Sequence, residues 1–385
     1  MKALFLYLGQ CHQVFHSLPI AAEMVMRHPD VEVHAAAASA THVQFLQRLW
    51  RKHVPHARIR IEQLLPVAFD CFPHKKRLLR KNLAYLRSFD AIVTPERTSL
   101  FLRKIGIGRT RLIWTRHGAG DRAVGFADDI HEFDYVLLSG RKIEERLLAA
   151  KQIRAGQYTS GIYAKFDWLR TRRSDQRVFD NGRPVVIYNP HFRKNLSSWP
   201  QMGVGVLNFF AVHPEWNLIF APHVRLFERF ARAKFLKFQR FACLPNVHVD
   251  LGSERSIDMT YTNEADLYLG DVSSQVAEFV CRPRPCLFLN AHRVDWHNDP
   301  NYKSWRLGPV IEDLDELAPA LERAFSSHGD FIVGQRRYVA ETFELPHGTS
   351  SAARGADAIV MYLESCRGNV RGSTQRAAEK KFVPA

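Results

Sequence analysis

Two histidines follow apolar segments of this sequence and could carry acid–base chemistry. His117 lies in the glycine-rich segment WTRHGAGDRAVGF, and His223 lies in NLIFAPHVRLFERF. An imidazole can act as a general base near neutral pH, and Gly118 would let a ligand approach the backbone closely. His223 could donate a proton or bind phosphate, with Arg225 adding hydrogen-bond donors. The alternatives are a turn histidine that satisfies a carbonyl at position 117 and a surface histidine at position 223.

The segment ADLYLGDVSSQVAEFV has the residue types of an anion site. Ser273 and Ser274 precede a predicted helix, whose first N–H groups and dipole favour a phosphate. Glu278 would share a helix face with Ser274 and could accept hydrogen bonds from a ribose diol. Asp271 is unfavourable beside a phosphate, so we expect it to cap the helix or hold the turn. Ordinary helix capping is the alternative explanation of this segment.

Two further segments offer donors to an anion. Arg193 follows the predicted strand in RPVVIYNPHFR, and Ser350, Ser351 and Arg354 stand at the start of the last predicted helix. A serine-rich helix start can bind an anion, although such caps are also common for purely structural reasons.

These residues are positioned by apolar strands that alternate with helix-like segments. The first series of strands lies at residues 1–8, from Val31, around Ala91, and in TRLIWTRHGAG and FDYVLLSG. The second series comprises RPVVIYNP, WNLIFAPH, NVHVDLG, ADLYLGD and PCLFLN. This alternation predicts an α/β fold with two parallel, doubly wound, Rossmann-like sheets. Such sheets bind ligands at the carboxyl ends of their strands.

The 385 residues favour two domains. We predict one domain over 1–170, a linker over 171–182 in the charged segment RTRRSDQRVFDNG, and a second domain over 183–366. Residues 367–385 are polar and basic, which predicts a largely disordered tail. The domain against which the last helix packs stays open, because in two-domain nucleotide enzymes this helix often crosses back to the first half.

The composition limits the classes of binding partner and the kinds of site that this protein can have. Lys and Arg number 54 against 39 Asp and Glu, a formal charge of +15 that favours nucleic acid, anionic lipid or phosphorylated substrates. No nucleic-acid-binding motif is visible, so we predict no nucleic-acid partner. The six cysteines lack paired spacing, which predicts neither a metal site nor a disulfide framework. No signal peptide or long apolar run is visible, so we expect a cytoplasmic protein.

One basic segment also suggests a membrane surface. LFERFARAKFLKFQRF places Phe227, Phe230, Phe238 and Phe241 on one helical arc, with basic residues around it. Such a stripe is more often part of a core. Together with the basic segment at 73–88 and the basic tail, it is also compatible with peripheral binding to the anionic inner face of the cell membrane.

In order and spacing, these segments resemble the CDP-glycerol glycerophosphotransferase family, the polymerases and primases of teichoic-acid-type polymers. The matching segments are residues 114–118, 188–193, 222–223, 266–274 and 348–354. The resemblance implies a GT-B fold, with an acceptor-side and a nucleotide-binding Rossmann-like domain facing across a cleft. The chain departs from the family at Val272, where tyrosine is usual, and at His347, where aspartate is usual; it also lacks the threonine–proline that usually follows the glycine at 118.

The resemblance also implies roles. His117 would be the catalytic base and His223 a second essential histidine at the transferred phosphate. The pyrophosphate of a cytidine nucleotide would be held by Ser273, Ser274, Ser350, Ser351 and Arg354. The implied reaction moves a polyol-phosphate group from a CDP-linked donor to a hydroxyl of a polymer or a lipid-linked acceptor, with no separate cofactor. The donor polyol, the acceptor and the oligomeric state do not follow from the sequence.

Two other readings stay open. A GT-B glycosyltransferase that uses a nucleotide sugar, or a relative of the sugar-nucleotide 2-epimerases, would share the strand–turn–helix nucleotide site. A non-catalytic basic scaffold for an anionic polymer would leave the two strand-end histidines unexplained. The preference for CDP, UDP or GDP separates the first two readings, and the scaffold predicts no nucleotide binding.

Overall fold

The computed structural model describes residues 1–67, 74–122, 126–171, 177–227, 231–344 and 348–379, which form two compact units. The first unit comprises Met1–His117, Asp128–Trp168 and Glu344–Ala385. The second comprises Gly118–Ala127 and Leu169–Phe343. The chain therefore passes from the first unit to the second directly after His117.

The first unit contains a parallel sheet in the order β3-β2-β1-β4-β5-β6-β7. Its strands are β1 (Lys2–Tyr7), β2 (Glu32–Ala37), β3 (Arg60–Gln63), β4 (Ala91–Thr94), β5 (Arg111–Trp114), β6 (Tyr135–Leu137) and β7 (Tyr158–Thr159). Its helices are α1 (Leu18–Arg27), α2 (Ala40–His53), α3 (Lys75–Lys81), α4 (Leu83–Leu86), α5 (Phe101–Lys104), α6 (Arg141–Ala149) and α7 (Lys165–Leu169), whose last residue begins the second unit. Strand β1 is central and apolar on both faces, as buried parallel strands are.

The second unit contains a parallel sheet in the order β10-β9-β8-β11-β12-β13. Its strands are β8 (Val185–Asn189), β9 (Asn217–Phe220), β10 (Val247–Val249), β11 (Leu267–Gly270), β12 (Cys286–Leu289) and β13 (Val310–Ile311). Its helices are α8 (Val204–Val212), α9 (Ala231–Ala242), α10 (Thr260–Glu264), α11 (Ser274–Phe279), α12 (Leu317–Ser326) and α13 (His328–Phe343). Both sheets thus contain the strand order 3-2-1-4-5-6 of a Rossmann fold, to which β7 adds a seventh strand in the first unit. The predicted pair of Rossmann-like α/β domains is confirmed.

The predicted aromatic arc is largely part of the core of the second unit. Phe227, Phe238 and Phe241 are buried in the hydrophobic cluster that also contains Phe220, whereas Phe230 lies outside the described residues. The helical spacing of these aromatic residues is therefore explained by their packing into the core. Within the described part of the chain, no helix is long and apolar enough to cross a membrane.

The last helix, α14 (Ser351–Glu379), groups with the first unit. Asp357 forms an ion pair with Arg27 of α1 at 2.7 Å, and Tyr362 stacks on Tyr135 of β6 with ring centroids 4.5 Å apart. The boundary predicted at residue 366 would have left this helix in the second domain. It is corrected because the helix packs on α1 and β6.

Helix α14 also extends beyond the predicted start of the tail. Residues 367–379 continue the helix, where the sequence analysis expected disorder. Residues 172–176 of the predicted linker and residues 380–385 of the predicted tail lie outside the described residues.

Asp121 is anchored within the second unit by two residues that lie far along the chain. This buried carboxylate accepts a hydrogen bond from the Ser304 N–H at 3.0 Å and from the Tyr338 hydroxyl at 3.1 Å. Ser304 precedes β13 and Tyr338 lies on α13. The residues directly after His117 are therefore held by side-chain and backbone contacts far along the chain.

Candidate active site

His117 lies three residues after the end of β5 with one ring nitrogen available. Its Nδ1 is 2.7 Å from the Pro95 carbonyl oxygen, which can only accept, so Nδ1 carries the proton and Nε2 has a lone pair. The Gln13 side-chain amide nitrogen is 3.4 Å from Nε2, a long hydrogen bond. His117 therefore does satisfy a backbone carbonyl, as a purely structural turn histidine would. The same hydrogen bond leaves Nε2 unprotonated, which is the tautomer that a general base needs.

The surroundings of His117 keep its imidazole neutral. The ring retains an exposed surface, yet protein packed around it removes water from much of its environment. This desolvation, together with the positive charges of Arg116, Lys75 and Arg97, lowers the pKa of His117 to about 4 against the opposing hydrogen bond to Pro95. At pH 7 the ring is neutral, and Nε2 keeps its lone pair.

Gly118 lies against Ser274 within the second unit. Its φ of +74° is one that side chains rarely adopt, and a Cβ at this position would lie 3.0 Å from the Ser274 Oγ. Glycine is therefore required both by the backbone and by the close approach. Two segments that the sequence analysis selected separately, the one after β5 and the one before α11, are in contact here.

The residues before α11 have roles that differ in part from those predicted. Ser273 is the N-cap, since its hydroxyl oxygen accepts from the Gln275 N–H at 3.2 Å. Asp271 does not cap this helix: it accepts from the backbone N–H groups of His191 and Ser198 at 2.7 and 3.0 Å. Of the two roles expected for Asp271, capping α11 is wrong, because its carboxylate is directed to the segment after β8; holding the turn stays a prediction.

Burial makes Asp271 an unusual carboxyl group. Its side chain is fully buried, and Oδ1 has no hydrogen-bond partner among the described residues. Desolvation raises the pKa of Asp271 to about 7, against the hydrogen bonds from Ser198 and His191. The site therefore holds a carboxyl group that titrates near neutral pH.

Two histidines meet where β8 and β9 end. The rings of His191 and His223 lie 5.6 Å apart between centroids. In each, Nδ1 accepts from the backbone N–H two residues later, of Arg193 at 3.0 Å and of Arg225 at 3.1 Å. Nε2 of each ring is thereby the protonated nitrogen of a neutral imidazole. The structure thus brings His223 and Arg225 together with Arg193, and a phosphate-binding role for these residues stays a prediction.

Positive charge is concentrated at this point. We name Arg122, His191, Arg193, His223 and Arg225 the cationic cluster. Burial, then Arg122, Arg193 and Arg225, lower the pKa of His191 to about 2, so this histidine is neutral. Burial and Arg193 lower the pKa of Arg122 to about 10. At pH 7 the Arg122 guanidinium stays charged, so it lies close to like charge in a desolvated position.

Arg122 and His191 are site residues that the sequence analysis missed. Among the described residues, Nη1 of Arg122 and Nε2 of His191 are buried without a hydrogen-bond partner. The sequence signal for Arg122 was its place in HGAGDR, five residues after His117. The only sequence signal for His191 was its position after a predicted strand.

Glu278 lies on α11, four residues after the half-buried Ser274, and is itself 5% exposed. Its role at a ribose stays a prediction. No group of three or more metal-ligating side chains that could hold an ion occurs within the described ranges.

The start of α14 belongs to the first unit. The Asp167 carboxylate accepts from the N–H groups of Ser351 and Ala352 at 3.1 and 2.7 Å, and Ser350 accepts from the Ala353 N–H at 2.9 Å. Arg354 donates to the Gly161 carbonyl oxygen. These contacts give Ser350, Ser351 and Arg354 structural roles, while the second unit holds Ser273 and Ser274. A nucleotide contact of the α14 start stays a prediction.

Solved structures share this fold. The wall teichoic acid polymerase TagF, in a histidine variant soaked with CDPG, matches with a TM-score of 0.60 and 14% identity over 95% of this chain and 90% of that chain. The UDP-GlcNAc 2-epimerase from Neisseria meningitidis bound to UDP-GlcNAc matches with a TM-score of 0.59 and 11% identity over 94% and 100%. A putative UDP-N-acetylglucosamine 2-epimerase from Listeria monocytogenes matches with a TM-score of 0.59 and 12% identity over 92% and 94%. These likenesses establish a GT-B-like fold.

No protein-family profile matches the sequence, and no curated protein matches it.

Proposed function

We propose that this protein is a transferase that moves a polyol-phosphate group from a CDP-linked donor to a hydroxyl. The observation that carries the proposal is the cationic cluster, in which Arg122 has a buried N–H group without a partner. A diphosphate supplies the negative charge and the acceptor oxygens that this cluster lacks. The fold shared with TagF in its CDPG-soaked form supports a nucleotide-linked donor.

The proposed reaction uses the neutral His117. The acceptor hydroxyl attacks the distal phosphorus of the donor, a new P–O bond forms, and the bond from that phosphorus to the bridging oxygen breaks, releasing CMP. The hydroxyl proton goes to Nε2 of His117. Arg193, Arg225 and Arg122 stabilise the charge that develops on the phosphate oxygens, and His223 donates from Nε2 to the transferred phosphate. Ser273, Ser274 and Glu278 contribute to the nucleotide side of the site.

A nucleotide-sugar enzyme is the second candidate, since the UDP-GlcNAc 2-epimerases share the fold at almost the same TM-score as TagF. It would use the same cationic cluster for the diphosphate of UDP. The two candidates differ in the base that they accept and in the bond that they make.

A thermal-shift panel of CDP, CMP, UDP, GDP and CDP-glycerol tests the proposal. We expect selective stabilisation by CDP and CDP-glycerol, of about 2.7 kcal/mol when the ligand is at 100 times its Kd. Arg122→Met removes charged hydrogen bonds and is expected to weaken binding by roughly 10- to 100-fold. Arg141→Met, which alters an exposed arginine of α6, is the control and should leave the shift unchanged.

A shift with UDP rather than CDP would favour the second candidate. The absence of a shift with all five nucleotides would refute a nucleotide-dependent enzyme. An equal loss of binding in Arg122→Met and Arg141→Met would show a general charge effect rather than a site.

A lipid-linked acceptor would require the protein to reach a membrane surface. On α9, Leu236 is 68% exposed beside Phe235, and the basic Lys237 and Arg240 flank this apolar pair. An apolar pair among cations suits the interface of an anionic bilayer. We include peripheral membrane binding through this part of α9 in the proposal.

Leu236→Glu is expected to lower the affinity for phosphatidylglycerol vesicles, measured by co-sedimentation, by about 10- to 100-fold, since a buried leucine contributes about 1.5–3 kcal/mol. Met361→Glu is the matched control, because Met361 is also 68% exposed and lies on α14. Failure of the unaltered protein to bind the vesicles would rule out this part of the proposal, as would equal losses in the two variants.

A further inference from the structure

Two acceptor oxygens without partners converge beside His117 in the first unit. Among the described residues, Oε1 of Gln13 and Oε1 of Glu96 are buried and have no hydrogen-bond partner. A Cβ built on Gly9 would lie 2.2 Å from the Glu96 oxygen and 2.9 Å from the Gln13 oxygen, so both atoms point to one small region. Buried acceptors that lack a donor are costly, which indicates a ligand that supplies donors.

The elements around this region hold the oxygens in place. Gln13 lies after β1, and Glu96 lies after β4, one residue beyond the Pro95 carbonyl that accepts from His117. Glu96 is only 4% exposed, and its other oxygen accepts from the Lys75 ammonium. The Gln13 amide nitrogen lies 3.4 Å from Nε2 of His117. The side chain of Gln13 thus carries one of the two unpaired oxygens and contacts the candidate base with its amide nitrogen.

The chemistry of the two oxygens selects the ligand. Both can only accept hydrogen bonds, so the ligand must donate. The Glu96 carboxylate would repel a phosphate or carboxylate, and Lys75 already supplies its cation. Uncharged hydroxyl groups fit best, and a polyol or a sugar has several at adjacent carbons. The long Gln13–His117 hydrogen bond can be replaced by a hydroxyl that donates to Nε2.

We propose that Gln13 and Glu96 form the acceptor subsite, which binds neighbouring hydroxyls of a polyol or sugar while one hydroxyl faces Nε2 of His117. This inference rests on the proposed transfer function and adds the place and the chemical class of the acceptor. Gly9 belongs to the subsite because only a residue without Cβ leaves the Glu96 carboxylate where it is.

The kinetic test uses the full chain, CDP-glycerol as donor, and glycerol or methyl N-acetylglucosaminide as acceptor probes. CMP release without acceptor reports hydrolysis, and product formation reports transfer. Glu96→Gln and Gln13→Leu are expected to raise the acceptor KM at least about tenfold, while the donor KM changes less than about threefold. Glycerol and the sugar serve as separate arms, and the arm with the larger effect identifies the acceptor chemistry.

Two variants guard against a purely structural effect. Gly9→Ala keeps every polar group but displaces the Glu96 carboxylate, and it should reproduce the change in acceptor KM. Glu145→Gln alters an exposed carboxylate of α6 and should change nothing. An unchanged acceptor KM in Gln13→Leu and Glu96→Gln would overturn the subsite, and so would a donor KM that rises as much as the acceptor KM.

A binding measurement separates this inference from the proposed function. Saturation-transfer NMR on the unaltered protein is expected to show contact with glycerol or the methyl glycoside, and Gln13→Leu should abolish it. If CDP-glycerol is not consumed, the proposed function fails, while a lost NMR signal in Gln13→Leu still supports a hydroxyl-binding subsite. No NMR signal with either probe on the unaltered protein would overturn the subsite, whatever the nucleotide results.

Discussion

Replacement of His117 by alanine is expected to lower the rate of transfer from CDP-glycerol by about 10²- to 10⁴-fold, the usual contribution of a general base. The stabilisation of the protein by CDP should persist, because the phosphate donors of the cationic cluster stay in place. Initial rates and thermal shifts on the same preparation measure the two effects. His56→Ala, an exposed histidine of the first unit, is the control and should keep full activity.

The pH profile gives this prediction a second readout. Since the pKa of His117 is lowered to about 4, the ring is already neutral well below pH 7. We therefore expect kcat/KM of the unaltered enzyme to show no acidic decline attributable to this base until the pH falls towards 4. An acidic limb near the ordinary histidine value of 6.5 would contradict the low pKa of His117. Loss of CDP binding in His117→Ala would contradict the separation of binding from chemistry.

Asp271→Asn is expected to change how the stability of the protein depends on pH. The carboxyl group has a pKa of about 7 in the folded protein and an ordinary value of 3.8, so the folded state holds its proton more tightly. Below pH 3.8 the group is protonated in both states and costs nothing. As the pH rises to 7, only the unfolded chain releases the proton, and stability falls by up to about 1.4 kcal/mol per pH unit, or roughly 4 kcal/mol in total.

Asparagine removes this titration and keeps an oxygen for the two backbone N–H groups. We therefore expect the difference in unfolding free energy between Asp271→Asn and the unaltered protein, measured by urea denaturation, to shift in favour of the variant from pH 4 to 7. Above pH 7 this difference should stay constant. The buried Tyr188 does not titrate in this range, because desolvation raises its pKa. Asp295→Asn, at a residue whose side chain is 87% exposed, should show no such trend. If the stability curves of Asp271→Asn and the unaltered protein ran parallel from pH 4 to 7, burial would not raise the pKa of the Asp271 carboxyl group.

The strands that position the site were predictable because they are buried on both faces. Runs such as Val185–Asn189 are apolar without alternation, which is the signature of an inner parallel strand. The strands that were missed, β3, β7 and β13, are short and each forms an edge of its sheet. Arg60–Gln63 is mostly polar, and two-residue strands have no pattern to detect. Each of these strands forms because the neighbouring strand of the sheet offers backbone hydrogen bonds to it.

The candidate site was predictable in residue type and not in electrostatics. His117, His223 and Arg193 could be selected because each follows an apolar strand. The importance of Arg122 depends on an unsatisfied N–H group and on nearby charges, which only coordinates reveal. The direction of the Asp271 carboxylate likewise depends on the course of the segment after β8. Sequence spacing cannot show which of two neighbouring backbones a side chain reaches.

The interleaving of the two units has a consequence for synthesis on the ribosome. The first unit receives α14 from the end of the chain, and the second receives the segment held by Asp121 from the middle of the first. An emerging N-terminal half therefore has β1–β7 but lacks the helix that packs on α1, and it carries a segment whose partners Ser304 and Tyr338 are not yet made. The second unit is complete in sequence at Phe343, before α14 has been synthesised, so the usual order in which the N-terminal domain is finished first does not apply here.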